Sequence, residues 1–338
     1  MWQLFLFLAI ATAFPAATDD DPRGPAREGR DYARFEVSKL CCVIGNNKSM
    51  PGHKGGCNGL FSMTPAHEKD TVYVPRFAGL NLEHYFDGNV LDDMTVQERF
   101  DPRCSQMEFR RLGSTRAELY QPPTVRFGVE SRTLFELKEP YYVDVTYRCI
   151  PNKEVLDHFL GVFWASYINA PSDKSIYFLG REGGVDPERS PTWMQFCTQK
   201  HGHFSTVMHV SGVGPTSFRK GRAALWNQMS PLRFDAPFFY GRIGQTVLIY
   251  IFEPNPGLRF AHSPNSGGVR TPDGSDTCPA WDFQLMICDP KPGVEYGLRM
   301  RVVCKPWVDR QDVLEEVRIY RQSIARVLPE TKPAKARP

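Results

Sequence analysis

The stretch Thr246-Val247-Leu248-Ile249-Tyr250-Ile251-Phe252 decides the fold. It is short, nearly all apolar, and rich in β-branched and aromatic residues, so it reads as a central strand covered on both faces. Its neighbours carry the other strand signature. From Arg126 to Leu137, Phe127, Val129, Phe135 and Leu137 fall on one face, with Arg126, Glu130, Arg132 and Glu136 on the other. From Tyr141 to Cys149, Val143, Val145, Tyr147 and Cys149 alternate with Asp144, Thr146 and Arg148. Turn chemistry separates the runs at Gln121-Pro122-Pro123, Glu139-Pro140, Pro254-Asn255-Pro256-Gly257 and Pro290-Lys291-Pro292-Gly293. Many short strands between such turns predict a sandwich or barrel. One helix stands out, capped by Asp309 and striped by Val313, Leu314, Val317, Ile324 and Leu328. The fold class is mainly β, one large antiparallel domain with a C-terminal helix.

The chain's 338 residues are enough for such a domain. Lys and Arg number 41 against 38 Asp and Glu, and no basic stripe interrupts the interior, so nucleic acid is not an expected partner. Met1 to Ile10 is a short apolar run followed by Ala11-Thr12-Ala13 and then Asp19-Asp20-Asp21. That pattern predicts a signal peptide over residues 1–18 and a secreted or periplasmic location. A disordered leader over 19–32, the β domain over 33–328 and a disordered tail over 329–338 complete the expected organisation. No segment approaches the ~20 apolar residues of a membrane span. The cysteines number 9, and their spacings leave pairing within Cys41, Cys42 and Cys57, or between Cys278 and Cys288, open. Beside it stands a role for Cys149, Cys197, Cys288 and Cys304 as small core residues within strands, which is favoured for most of them. Oligomeric state is not legible.

Chemistry-bearing residues gather in a few segments. Asn81-Leu82-Glu83-His84 lies in a ten-residue run, Gly79 to Gly88, that mixes amide, carboxylate, imidazole and aromatic groups. Such a mixture suits sugar recognition, and a carboxylate beside an imidazole also suits proton transfer. Gly161 to Pro171 runs from a strand into a loop that ends on Tyr167 and Asn169, both good hydroxyl partners. Arg242 precedes the central strand, and His262 leads into a glycine-rich loop. Trp281, Asp282 and Gln284 alternate, with a ring on one face and polar groups on the other. The ring is a stacking platform if exposed and core if buried; core is favoured, so Asp282, Gln284 and Arg242 come first as site residues. His201, His203 and His209 have odd numbers and would share a face of one strand, where the first two could meet a metal. No phosphate loop, zinc-finger spacing or nucleophile elbow is present, and no cofactor is expected.

These segments resemble a group of secreted bacterial proteins of uncharacterised activity, through Ala78 to His84, Phe163 to Pro171, Phe238 to Arg242 and Pro279 to Gln284. More distantly, Tyr167-Ile168-Asn169 resembles the His-x-Tyr-Phe-Asn motif of the galactose mutarotase-like family. That resemblance implies a β-supersandwich with a sugar-binding groove. Ala165 stands where the family has its catalytic histidine, and the family's late catalytic glutamate has no counterpart that can be placed.

The expectation is an exported carbohydrate-binding or carbohydrate-processing protein. His84 or His201 would serve as acid and Glu83 or Asp282 as base, with Asn81, Tyr167, Asn169, Arg242, His262, Trp281 and Gln284 holding an oligo- or polysaccharide. A groove of that kind brings His84, Tyr167, Asn169, Arg242 and Asp282 together. Two other readings stay open: a non-enzymatic cell-envelope interaction protein, and a metal-dependent enzyme centred on His201 and His203.

Overall fold

The computed structural model describes residues 26–89, 91–184, 190–218, 224–265 and 278–325. The expected signal peptide, the start of the leader, the tail and Leu328 lie outside them. From Ala26 the chain is already tied down. Asp31 is buried, and its carboxylate accepts from the Asn46 amide and the Arg27 N–H.

A small antiparallel sheet comes first, with strands β1 (Tyr32–Val37), β2 (Leu40–Gly45) and β3 (Gly59–Pro65). The remaining strands join one 15-stranded sheet. Its first six are β4 (Asn81–Phe86), β5 (Glu108–Arg111), β6 (Arg116–Gln121), β7 (Val129–Lys138), β8 (Tyr142–Pro151) and β9 (Phe159–Ala165). Then follow β10 (Ile176–Glu182), β11 (Thr192–Phe196), β12 (Thr206–His209), β13 (Met229–Phe234), β14 (Phe238–Ile243) and β15 (Thr246–Phe252). The last three are β16 (Leu258–Ser263), β17 (Ala280–Cys288) and β18 (Tyr296–Pro306). The hydrogen-bonded order is β4-β9-β17-β16-β12-β13-β10-β14-β15-β18-β8-β7-β6-β5, with β11 beside β10, and among the described strands only β12 and β13 pair in parallel.

The sheet folds back on itself. β8 and β9 lie far apart along that order, yet the rings of Tyr147 and Trp164 meet edge to face at 4.7 Å. Likewise Tyr85 of β4 and Tyr147 of β8 share a hydroxyl contact of 3.1 Å, and Phe239 of β14 packs against Phe260 of β16 at 5.0 Å. One large core, running from Ala33 to Cys304, fills the space between the two halves.

The sequence pattern explains the layering. Val129, Phe135, Leu137, Val143, Val145, Tyr147 and Cys149 point into that core, as their alternation predicts. Every residue of β15 is buried because both its faces are covered. Leu248, Tyr250 and Phe252 join the main core, while Val247, Ile249 and Ile251 pack under a helix.

That helix follows two four-residue turns, α1 (Val96–Arg99) and α2 (Asp101–Cys104), and is α3 (Arg310–Ala325). Asp309 caps it by accepting the Asp312 N–H. Val313, Val317 and Tyr320 are buried against β15, each worth about 1.5–3 kcal/mol. Among them Glu316 is buried too, and satisfied by the Tyr141 and Tyr142 hydroxyls at 3.0 Å each and by Lys305 Nζ at 2.6 Å. Glu316→Gln keeps the shape but swaps an anionic acceptor for an amide that has donors of its own. A loss of about 1–3 kcal/mol in urea denaturation is expected.

Cys41, Cys42, Cys57, Cys149, Cys197, Cys288 and Cys304 are free thiols in this structure. Cys42, Cys57, Cys149, Cys278 and Cys304 are buried, while Cys104, Cys197 and Cys288 are exposed. The core role expected of Cys149 and Cys304 therefore fits, and that of Cys197 and Cys288 does not. No helix among the described residues is long and apolar enough to cross a membrane.

Candidate functional site

β4 is an edge strand, and its free edge is closed by a side chain. The Asn58 amide accepts the Leu82 N–H at 2.9 Å and donates to the Leu82 carbonyl at 3.1 Å, as a neighbouring strand would. On its other edge the pairing with β9 slips between Leu82 and His84. Such a bulge re-aims side chains that a regular strand would send to opposite faces. Here it lets the adjacent Glu83 and His84 line one cavity.

The cavity measures about 230 Å³. Phe100, Phe163, Leu225 and Trp226 form apolar walls, and Glu83, His84, Arg99, Tyr167, His201, Ser263 and Asp282 supply the polar groups. Its size is below the roughly 300–1,000 Å³ of drug-sized clefts, so it suits a single ring better than a chain of them.

Glu83 is held from all sides. Asn81 Nδ2 donates to its Oε2 at 2.9 Å and the Tyr167 hydroxyl does so at 2.6 Å. Arg103 Nη1 lies 3.5 Å and His84 Nε2 3.4 Å from Oε1. Burial alone would favour the neutral acid, but Arg103, then His84 and Tyr167, hold Glu83 down to about 2. Arg103 is itself fixed, donating to the Gly56 carbonyl and the Cys57 thiol and lying over the Phe100 ring. α2, which carries it, is pinned where Asp101 accepts the N–H groups of Arg126 and Phe127.

Asp282 is the opposite case. It is fully buried on β17; Oδ1 accepts the Ser166 N–H at 2.9 Å, and Oδ2 has no partner. Burial raises its pKa well above the carboxylate range, and the nearby negative charge of Glu83 adds to the effect. One cavity thus holds an ionised carboxylate and a protonated one.

The two histidines have definite tautomers. His84 Nδ1 lies 2.5 Å from the Arg99 carbonyl, which can only accept, so Nδ1 carries a proton. Ser263 spends its single hydroxyl proton on the Asn265 carbonyl, so it accepts from His201 Nδ1 at 2.9 Å. Neutral His201 therefore keeps a lone pair on Nε2. His201 is exposed as a whole, but partial burial of its ring lowers its pKa, against the pull of Glu83, and favours that neutral form.

Of the expected site residues, Glu83, His84, Tyr167, His201 and Asp282 meet in this cavity, and Asn81 stands behind Glu83. The rest do not line it. Asn169 Nδ2 donates to the Thr71 carbonyl and fixes a loop. Arg242 lies over Trp307 in a separate aromatic cluster with Tyr240. His262 is buried between Thr198 and the Lys174 carbonyl, and burial pushes it down to about 4. Trp281 is a core ring whose Nε1–H donates to the same carbonyl, and Gln284 donates to Thr206 Oγ1. The expected convergence of His84, Tyr167, Asn169, Arg242 and Asp282 is met by three of the five. The histidine run also differs from expectation. His201 and His203 sit in a turn before β12 with Gly202 at φ +69°, and His203 is exposed against Phe204. Among the described residues no three potential ligands cluster for a metal.

Sequence reading missed Arg99, Phe100, Arg103 and Trp226. A signal for the first three was available. Thr95-x-x-Glu98 is a capping box that starts a helical turn, and the two arginines flank the next break. Trp226 carries no comparable local mark.

No family model matches the chain, and no curated protein matches it. Among solved structures it is similar to a candidate aldose 1-epimerase from Escherichia coli K12, at 10% identity and a TM-score of 0.48, over 82% of this chain and 100% of that one. It is also similar to the GalM/aldose epimerase homologue from C. elegans, at 10% identity and a TM-score of 0.43, over 83% and 100% respectively. At such low scores these likenesses carry no weight for function, which is read from the cavity.

Proposed function

We propose that the chain binds a small sugar in this cavity and transfers protons on it, with Asp282 as acid and His201 as base. The observation that carries the reading is the pairing, in one small cavity, of a carboxyl kept protonated by burial with an imidazole whose Nε2 lone pair is free. Groups pushed to opposite protonation states are the signature of an acid–base pair. These roles exchange the ones the sequence suggested, because a carboxylate held near 2, like Glu83, is too weak a base. Glu83 acts as a fixed charge that orients His84. The aromatic walls offer faces for the C–H patches of a sugar ring.

The step balances without a cofactor. Asp282 gives its proton to the ring oxygen as the bond between that oxygen and the anomeric carbon breaks. His201 takes the proton of the anomeric hydroxyl, leaving an open-chain aldehyde. Closure on the other face returns both protons and inverts the anomer. Export belongs to the same reading, supported by the Met1–Ile10 run and Ala11-Thr12-Ala13.

Polarimetry on freshly dissolved glucose and galactose tests it. Asp282→Asn should slow catalysed mutarotation about 100-fold or more while sugar binding survives. An unchanged rate in that variant removes the acid role. Absence of both mutarotation and binding across a glycan array ends the sugar reading.

A further inference from the structure

One charge in the cavity is unused by the proposed pair. Arg99 closes α1 and lines the cavity. Its backbone is committed, the carbonyl accepting from His84 Nδ1 and the N–H donating to the Thr95 carbonyl. Its guanidinium is not. It makes no hydrogen bond or ion pair with any described residue, and Nε is buried without a partner. A guanidinium stays charged, and a buried donor left without a partner is costly.

The other charges are accounted for. Glu83 is matched by Arg103 at 3.5 Å. Asp282 is kept neutral by burial, and His201 is held toward its neutral form. Of the acids next to it in the chain, Glu98 is engaged with Thr95 and Arg126, and Asp101 with the backbone of Arg126 and Phe127. Arg99 is left as the cavity's uncompensated charge, on a planar fork whose geometry fits a carboxylate with two parallel hydrogen bonds.

We propose that the ligand is an acidic monosaccharide, a sugar ring whose carboxylate is clamped by Arg99 while the ring lies against Trp226 and Phe163. This rests on the sugar-binding reading above and adds the charge of the ligand to it. The cavity's 230 Å³ suits one such ring.

Isothermal titration of the full chain with glucuronate, glucose and glucose 6-phosphate at low salt tests the assignment. Glucuronate is expected to bind about 10- to 100-fold more tightly than glucose, the span of one charge-assisted clamp. Arg99→Gln should erase that preference, while Arg99→Lys should keep part of it. Should Arg99→Gln fail to fold in a thermal melt, the wild-type comparison and Arg99→Lys still decide. Equal binding of glucose and glucuronate by the wild type overturns the acidic ligand and leaves the sugar reading standing. Tighter binding of glucose 6-phosphate overturns the carboxylate in favour of a phosphate. A preference that survives Arg99→Gln removes Arg99 from the site. Binding of none of the three overturns this inference together with the reading beneath it.

Discussion

Arg103→Ala should lower the unfolding free energy by about 3–5 kcal/mol at pH 7, the cost of stranding a buried charge. The side chains of Arg103 and Glu83 are only 11% and 10% exposed, so water cannot replace the lost partner. The Gly56 carbonyl and the Cys57 thiol lose a donor at the same time. The pH dependence carries a second signature. Glu83 is held at about 2 in the fold, against about 4.3 in an unfolded chain. A depressed carboxylate stabilises the fold fully above its unfolded pKa, and that contribution fades as pH falls through its folded one. The wild type should therefore shed about 3 kcal/mol between pH 4.3 and 2 from this group. In Arg103→Ala burial is no longer offset by the guanidinium, so Glu83 rises and the acid limb moves to higher pH. Urea denaturation as a function of pH reads both effects. A variant within about 1 kcal/mol of wild type, with the same acid limb, would show that the ion pair is dispensable.

Trp281→Ala carries a comparable penalty, about 3–5 kcal/mol. The ring is fully buried, and it fills the space above Gly241, where a Cβ would lie 2.1 Å from its Cη2. Its Nε1–H also satisfies the Lys174 carbonyl, which His262 shares. Trp281→Phe keeps most of the volume and should lose about 1–3 kcal/mol, from the missing donor and the smaller ring. Both variants, where folded, should keep the sugar selectivity of the wild type, because the ring does not line the cavity. Loss of binding with an unchanged melting temperature would return Trp281 to the role of a stacking platform.

Much of the sheet was legible in the chain. Alternation along β7 and β8 records which face meets the core, and the unbroken apolar run of β15 records cover on both sides. The stripe on α3 was readable for the same reason, although Glu316 in its midst was not, since only Tyr141, Tyr142 and Lys305 make its burial tolerable. His201 and His203 misled because parity predicts a shared face only within a strand, and they lie in a turn.

The candidate site divides along the same line. From the residues alone came the density of chemistry around Glu83 and His84, the hydroxyl partner Tyr167 and the polar Asp282. Tertiary structure decided everything that made them a site. The bulge in β4 turned two neighbours toward one cavity, and folding brought Arg99, Arg103 and Trp226 to it from other segments. Structure also separated Arg242, Asn169 and Trp281 from it. Above all it set the protonation of two carboxyls that look alike in a sequence. Periodicity reports which side of a strand is dry, whereas a pKa depends on what lies a few ångströms away in every direction, and only the folded chain supplies those neighbours.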